Sequence, residues 1–550
     1  MSTDLRTTAD LSVPLEGLRR HRRARMTEGR VVFAVVLLCY LGAAGWFWRN
    51  HLIHVDAVSR VANAYYVLFS RDPHLAAVGF VWNPLPSLVM LPLLPLKALI
   101  PALTRDGLAA GLTSALFMAG TVAVGNDIFR RMGVSAVPRT ALTVLLALHP
   151  MMIIYGGNGT SEACFMFFLV LSVRGLLIWL TGQRPESLVA LGLSLSLAYG
   201  ARYEALAPGV AVPAVVAAVT WWRGRGRARW RYATAQTDAV IVGLPVFLAV
   251  AGWALASKII VGQWFATFSS EYGNSAQVAS NAQGIESVTG VTLGARTAYA
   301  LHQILGLQPL VPLLLILAAV MAVRRRDPRM IAPLTVLGAV LAFDELAFLA
   351  GGSFGWLRFQ ITVVPLAALL AGALLAAPPG APATRGRSWR SARVRRLSTV
   401  AVAVLAAALA VPTTVVTLRS PVLAREESDW FTRAGVTGAA QRTGLDQQIA
   451  RDIDGMALPD GAVIADSAYA FAIILASGKP RQFIITPDRD FAASLADPRR
   501  HRVRYLLQSA FGPADAVRAG ARDAGSRPEH TWTDTSGAVR WSLIPVPSRP

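Results

Sequence analysis

Asp56 lies in Asn50-His-Leu-Ile-His-Val-Asp-Ala-Val-Ser-Arg60, directly after an apolar run from Val31 to Trp48 that is long enough to cross a bilayer. A carboxylate where a membrane helix meets water is expensive, so its presence there points to chemistry at that surface. A second acid, Glu162, follows the glycine-rich stretch Tyr155-Gly-Gly-Asn-Gly-Thr-Ser. Around these acids the same loops carry Arg60, Tyr65, Tyr66, Trp82, Asn83, Arg202, Tyr203, Glu204, Trp356 and Arg358. Carboxylates, guanidinium groups and aromatic rings are the parts needed to transfer a sugar from a lipid phosphate: a base for the acceptor hydroxyl, cations for the departing phosphate and flat faces for sugar rings.

Each group also has a plain structural use. Asp56 reads as the base, against an interfacial charge closing the first span. Ser161-Glu162 would equally cap a helix start, where an acid complements the dipole. Arg202 and Glu204, in Ala198-Tyr-Gly-Ala-Arg-Tyr-Glu-Ala205, would equally form a local ion pair. Arg358 follows a glycine-rich turn and precedes an apolar run, a suitable place to hold a lipid phosphate, although snorkelling to the interface would place it there too. His54 and His74 read as structural or solvated, and no H-x-x-x-H or H-E-x-x-H spacing occurs, so no catalytic zinc is expected. No cofactor is called for, and assistance by a divalent cation is left open.

The elements that must position these residues follow from composition. With 54% hydrophobic and 15% charged residues over 550 positions and a mean hydropathy of +0.46, the chain is a polytopic α-helical membrane protein, not one large soluble core. The net charge of +21 falls in short Lys/Arg blocks between apolar runs, the pattern of cytoplasmic loops, which argues against nucleic acid. Cys39 and Cys164 both sit in apolar segments and form no disulfide framework. The basic arm before Val31, with Arg19, Arg20, Arg22, Arg23 and Arg25, resembles a signal-peptide start, but the run that follows lacks a small-residue cleavage site and is too long, so a retained first span with a cytoplasmic N-terminus is expected.

Laying apolar runs against basic loops gives about eleven transmembrane helices. Among them are residues 141–154, 188–200, 299–323 and 397–418, with a basic cytoplasmic linker at 378–396. The stretch Trp82-Asn-Pro-Leu-Pro86 onward, broken by Pro84, Pro86, Pro92 and Pro95, reads as a re-entrant or juxtamembrane segment on the outer face beside a cavity. Three regions follow: a basic cytoplasmic arm at 1–30, a membrane domain at 31–419 and a small extracytoplasmic α/β domain at 420–550. In the last, residues 461–466, 481–486 and 502–508 read as short strands, with a helix at 468–476. No G-x-G-x-x-G fingerprint, P-loop or zinc spacing gives this region a catalytic role.

The order of these pieces resembles the polyprenyl-phosphate-dependent membrane glycosyltransferases of the GT-C superfamily, the group containing protein O-mannosyltransferases and the lipid A aminoarabinose transferases. Over roughly residues 30–370 the likeness rests on Asp56 just past the first span, the Trp82-Asn-Pro-Leu-Pro86 stretch, the second acid in Asn158 to Glu162, Ala201-Arg-Tyr-Glu-Ala205, and Arg358-Phe359 before Pro365. The resemblance implies a GT-C-like fold and an inverting transferase with Asp56 and Glu162 as catalytic acids. Arg358, with Arg202 and Tyr203, would hold the donor phosphate, and Tyr65, Tyr66, Trp82 and Asn83 would shape the substrate pockets. It further implies a polyprenyl-phosphate sugar donor, mannose or arabinose, and a glycan, glycolipid or protein acceptor on the extracytoplasmic face of the plasma membrane. Many relatives carry an acid pair at the first site, whereas Ala57 follows Asp56 here, which makes protein O-mannosylation the less favoured acceptor chemistry; Asp72 is a compensating acid or part of a turn. A multi-pass transporter of a polar or lipid-linked substrate is the rival reading.

Overall fold

The computed structural model describes residues 15–325, 327–376, 409–511, 514–518 and 527–547. Among these, seven helices are long and apolar enough to cross a membrane: Glu28–Arg49, Leu108–Arg131, Glu162–Gly182, Tyr203–Arg223, Ala228–Val261, Pro328–Leu349 and Leu357–Leu375. The pair Leu293–Leu307 and Val311–Met321 makes an eighth if counted as one span, bent by 85°.

The expectation of about eleven spans is therefore corrected to seven or eight among the described residues, and proline accounts for two of the differences. Residues 141–154 do not form one span: the Ala136–Leu148 helix ends at His149 with φ −61° and ψ 130°, and Pro150 begins a separate six-residue helix to Tyr155. A residue before proline is pushed out of the α region, so the break falls where Pro150 requires it. The bend after Leu307 has the same origin in Gln308-Pro309. Residues 188–200 lie in the 17-residue helix Pro185–Ala201, which at 1.5 Å per residue is about 25 Å long, short of a hydrocarbon core of about 30 Å. The proposed linker at 378–396 and residues 397–408 of the last expected span lie outside the described residues, as do residues 1–14 of the basic arm; Leu409–Leu418 is a short apolar helix.

The Glu162–Gly182 helix is the central post of the membrane bundle. Most of its residues are buried, Leu169, Val173 and Leu176 fully so, as expected of a helix surrounded by other helices. Leu108–Arg131 and Pro185–Ala201 pack on its two sides, and Glu28–Arg49 packs on Leu108–Arg131. The proline-rich stretch forms only short turns, Leu85–Leu88, Leu94–Ala98 and Ala102–Arg105.

Beyond Arg433 the chain builds a five-stranded mixed sheet in the order β2-β1-β3-β5-β4. The parallel strands β1 (Val463–Ala465), β2 (Phe483–Ile485) and β3 (Tyr505–Ser509) occupy the three segments read as strands, and the helix Ser467–Ala476 follows β1. Strands β4 (His530–Thr533) and β5 (Val539–Pro545) extend the sheet antiparallel, and the 23-residue helix Arg433–Gly455 lies against Ser467–Ala476; none of these three was read from the sequence. The sheet end meets the membrane domain through Arg71, which bridges Asp488 at 3.4 Å and also pairs with Asp490. Arg489 pairs with Asp72 at 3.1 Å, and the Tyr272 hydroxyl donates to Asp466 at 2.6 Å.

Candidate active site

The site is assembled from three helix starts and one segment that follows the membrane bundle. The His54 ring caps the helix Val55–Phe69, its Nδ1 accepting from the Asp56 backbone N–H at 3.1 Å. Asp56 thereby occupies the first turn, where backbone N–H groups and the helix dipole favour an anion. Arg60, four residues on, shares its face. The His54 N–H donates to the Asn158 carbonyl at 3.0 Å, which ties this helix start to the loop leading to Glu162. Within that loop Gly159 has φ +89°, and a Cβ there would stand 2.9 Å from the Cβ atoms of Ala57 and Ala110. Glycine is thus required both by conformation and by the closeness of the two helices. The Asn158 side chain accepts from the Thr160 N–H at 3.2 Å and its hydroxyl at 3.0 Å, which sets the approach to Glu162 at the start of the central helix.

Arg358 stands in the short turn Leu357–Thr362 and is 3% exposed. Its Nη1 donates to Asp56 Oδ2 at 2.9 Å, its Nε is 3.1 Å from Glu426 Oε2, and Glu162 Oε1 lies 3.8 Å away. The guanidinium sits 4.3 Å from the centroid of the Trp356 ring. Arg202 pairs with both Glu162 and Glu204. His54 Nε2 is 3.4 Å from Glu426 Oε1, and the Tyr155 hydroxyl donates to Glu427. One ionic chain therefore runs from His54 through Glu426 and Arg358 to Glu162, Arg202 and Glu204, with Asp56 branching from Arg358.

The electrostatics follow from this chain. Burial alone would raise the Asp56 carboxyl, but Arg358, His54 and Arg60 hold it well below the usual carboxylate range, so it is ionised. Burial works against a charged His54, yet Asp56 and Glu426 raise its pKa above the ordinary value. Glu427 is pushed up to about 7 by burial and by its neighbour Glu426.

A cavity of about 60 Å³ opens beside Asp56. Of the candidates, Asp56, Glu162, Arg202, Tyr203, Trp82, Asn83 and Arg358 all line it. Tyr65 and Tyr66 do not. Each is 1% exposed, Tyr65 accepting from Lys97 Nζ at 3.1 Å. At 3.6 residues per turn Tyr65 falls about half a turn around the helix from Asp56 and Tyr66 about a quarter turn, so neither shares the face that Asp56 and Arg60 present to the cavity. Asn83 donates to the Tyr199 carbonyl and is thereby fixed in the wall. At the His54–Glu426 end of the ionic chain lies a second, larger cavity of about 1220 Å³, bordered by His54, Glu426, Trp48 and Trp430 and by the helix Arg433–Gly455.

Glu426, Glu427 and Tyr155 were absent from the sequence-derived candidates. The signal for the first two is the acidic doublet in Arg425-Glu-Glu-Ser-Asp429, just past the last apolar run; nothing local places it beside Asp56. Among the described residues no three His, Cys, Asp or Glu side chains are grouped to hold a metal ion.

No family model and no curated protein sequence matches the chain. Solved structures do. ArnT from Cupriavidus metallidurans, solved bound to undecaprenyl phosphate, is 14% identical with a TM-score of 0.53, and the alignment covers 94% of this chain and 98% of that one. The oligosaccharyltransferase AglB from Archaeoglobus fulgidus, solved with an inhibitory peptide and dolichol phosphate, is 11% identical over 93% of this chain and 74% of its own; its TM-score of 0.43 carries no argument. The fold is ArnT-like, that of a multi-pass membrane protein, and at this identity the likeness is one of fold alone.

Proposed function

We propose that the chain is an inverting glycosyltransferase that moves a sugar, mannose or arabinose, from a polyprenyl-phosphate donor to a hydroxyl of an envelope glycan, glycolipid or protein. The observation that carries this reading is the ionised Asp56 held 2.9 Å from Arg358 on the wall of a cavity. In the proposed reaction Asp56 accepts the proton of the acceptor hydroxyl. The hydroxyl oxygen attacks the anomeric carbon from the face opposite the phosphate, and the carbon–oxygen bond to phosphate breaks with its electron pair leaving on the phosphate. A single displacement inverts the anomeric configuration. Arg358 and Arg202 offset the charge that develops on the leaving phosphate.

A carboxylate paired with a guanidinium is a weak base. A donor phosphate that draws on the charge of Arg358 restores basicity to Asp56, which links proton acceptance to an occupied donor site. Glu162 acts through Arg202 and Arg358, both of which it faces. The second cavity gives an acceptor a route to the His54–Glu426 end of the same ionic chain. We assign residues 31–419 to the catalytic membrane domain, 420–550 to an extracytoplasmic domain, and the N-terminal arm to the cytoplasm of a plasma-membrane protein. Purified protein in nanodiscs, supplied with radiolabelled polyprenyl-phosphate mannose or arabinose and separately with membrane glycan, glycolipid and protein fractions, tests the reading. Label transferred to one fraction with inverted anomeric configuration supports it; labelled lipid moved across a vesicle bilayer without transfer would establish transport instead.

A further inference from the structure

Three guanidinium groups line the cavity beside Asp56, and they differ in how much of their charge is already matched. Arg358 faces Asp56, Glu426 and Glu162. Arg202 is held by Glu162 and Glu204. Arg60 is 5% exposed, and its one hydrogen bond runs from Nη2 to the Ser161 hydroxyl at 3.3 Å. Its Nε and Nη1 have no hydrogen-bond partner among the described residues. Its guanidinium carbon lies 4.8 Å from the centroid of the Trp82 ring, a cation–π contact with one wall of the cavity. Burial pushes its pKa down to about 10, so the group stays cationic at neutral pH at a cost in solvation.

A buried cation with unpaired N–H groups, set in the wall of a cavity, is completed by an anion rich in acceptor oxygens. Planar donors and phosphate oxygens suit one another, and a guanidinium gives up its hydration more readily than an ammonium. Arg60 also stands one helical turn from Asp56, with Cβ atoms about 6 Å apart at such a spacing. An oxygen ester held on Arg60 would therefore place the carbon it carries within reach of a hydroxyl activated by Asp56.

We propose that Arg60 binds the donor phosphate directly, as a phosphate ester, while Arg202 and Arg358 keep their carboxylate partners and act on that phosphate through their charge. This rests on the transferase reading and deepens it by naming the residue that selects the phosphate.

The test is binding of polyprenyl phosphate, of polyprenol and of inorganic phosphate to the full chain in nanodiscs, comparing wild type with Arg60→Gln, Arg60→Lys and Arg358→Gln. Wild type is expected to prefer polyprenyl phosphate over polyprenol, and Arg60→Gln to lose that preference at least tenfold while binding polyprenol as before, which shows an intact fold. Arg60→Lys is expected to keep part of the preference; if Arg60→Gln does not fold, an unchanged preference in Arg60→Lys overturns the assignment. Inorganic phosphate competing in wild type and not in Arg60→Gln supports a site for the phosphate group itself, and competition by polyprenyl phosphate alone supports a lipid headgroup site. An unchanged preference in Arg60→Gln, with loss in Arg358→Gln, overturns the proposal and leaves the transferase reading standing. Arg60-dependent binding without sugar transfer from any donor would instead sink the transferase reading and leave this site in place.

Discussion

At the scale of single residues, the ion pair between Asp56 and Arg358 governs both charge state and reactivity. Arg358 holds the Asp56 pKa down, so wild-type activity keeps an ionised Asp56 well below the pH at which a free carboxyl would protonate. Arg358→Gln removes that hold and also leaves Glu426 with His54 as its one remaining ionic partner among the described residues. Transfer should fall by more than about tenfold, and the residual activity should fail on the acid side at a higher pH than in wild type. A pH profile of kcat/KM checks this, and an acid limb that does not move would mean that Arg358 does not control Asp56. Asp56, Glu162, Arg202 and Arg358 were legible in the sequence because acids and arginines at the ends of apolar runs stand out against their surroundings. Glu426 was not, because its contacts with His54 and Arg358 are made across about 370 and 70 residues of chain and no local pattern encodes them. Tyr65 and Tyr66 were chosen for residue type, and helical periodicity turned them away.

At the scale of elements, the Gly159 loop sets the distance between two helix starts. Gly159→Ala would force a left-handed backbone on alanine and push its Cβ into Ala57 and Ala110. Displacement of even about 1 Å in such a site is costly to catalysis, so transfer should drop by at least about tenfold, with a smaller loss of donor binding. Comparing kcat with donor affinity checks the split; a variant with wild-type kcat would show that the loop does not position the acids. The broken elements were legible in principle, since Pro150 and Pro309 interrupt apolar runs, but an apolar count alone passes over them. Clustered prolines, as in the Trp82-Asn-Pro-Leu-Pro86 stretch, mark a break plainly, whereas a single proline leaves the apolar run around it intact. In the C-terminal region the three parallel strands were legible because buried strands read as short apolar runs. Strands β4 and β5 carry mixed polar and aromatic residues, and the helix Arg433–Gly455 carries glycines and charges, so their burial depends on neighbours that the sequence does not name.

At the scale of the molecule, the segment leaving the membrane bundle is anchored in the site through Glu426 and Glu427. The folded protein raises the Glu427 pKa from 4.5 to about 7, so the native state holds this proton more tightly than the unfolded chain does. Its contribution is full below the unfolded value and is lost as pH rises through the folded one, by up to about 3 kcal/mol. Glu427→Gln keeps an acceptor for Tyr155 and removes the titration. Between pH 5 and pH 8 wild type should lose thermal stability more steeply than Glu427→Gln, as read from melting temperatures in nanodiscs; parallel slopes would show that Glu427 titrates normally. The anchoring also joins the two cavities through one ionic chain, and this arrangement of the whole molecule is what the transferase reading needs.

The most direct test is the rate of sugar transfer from a polyprenyl-phosphate donor by wild type and Asp56→Asn in the same nanodiscs, with donor binding measured alongside. Loss of a general base predicts a fall of about 100-fold or more with the donor still bound. Transfer by Asp56→Asn at a rate near that of wild type would contradict the role given to Asp56 and, with it, the proposed mechanism.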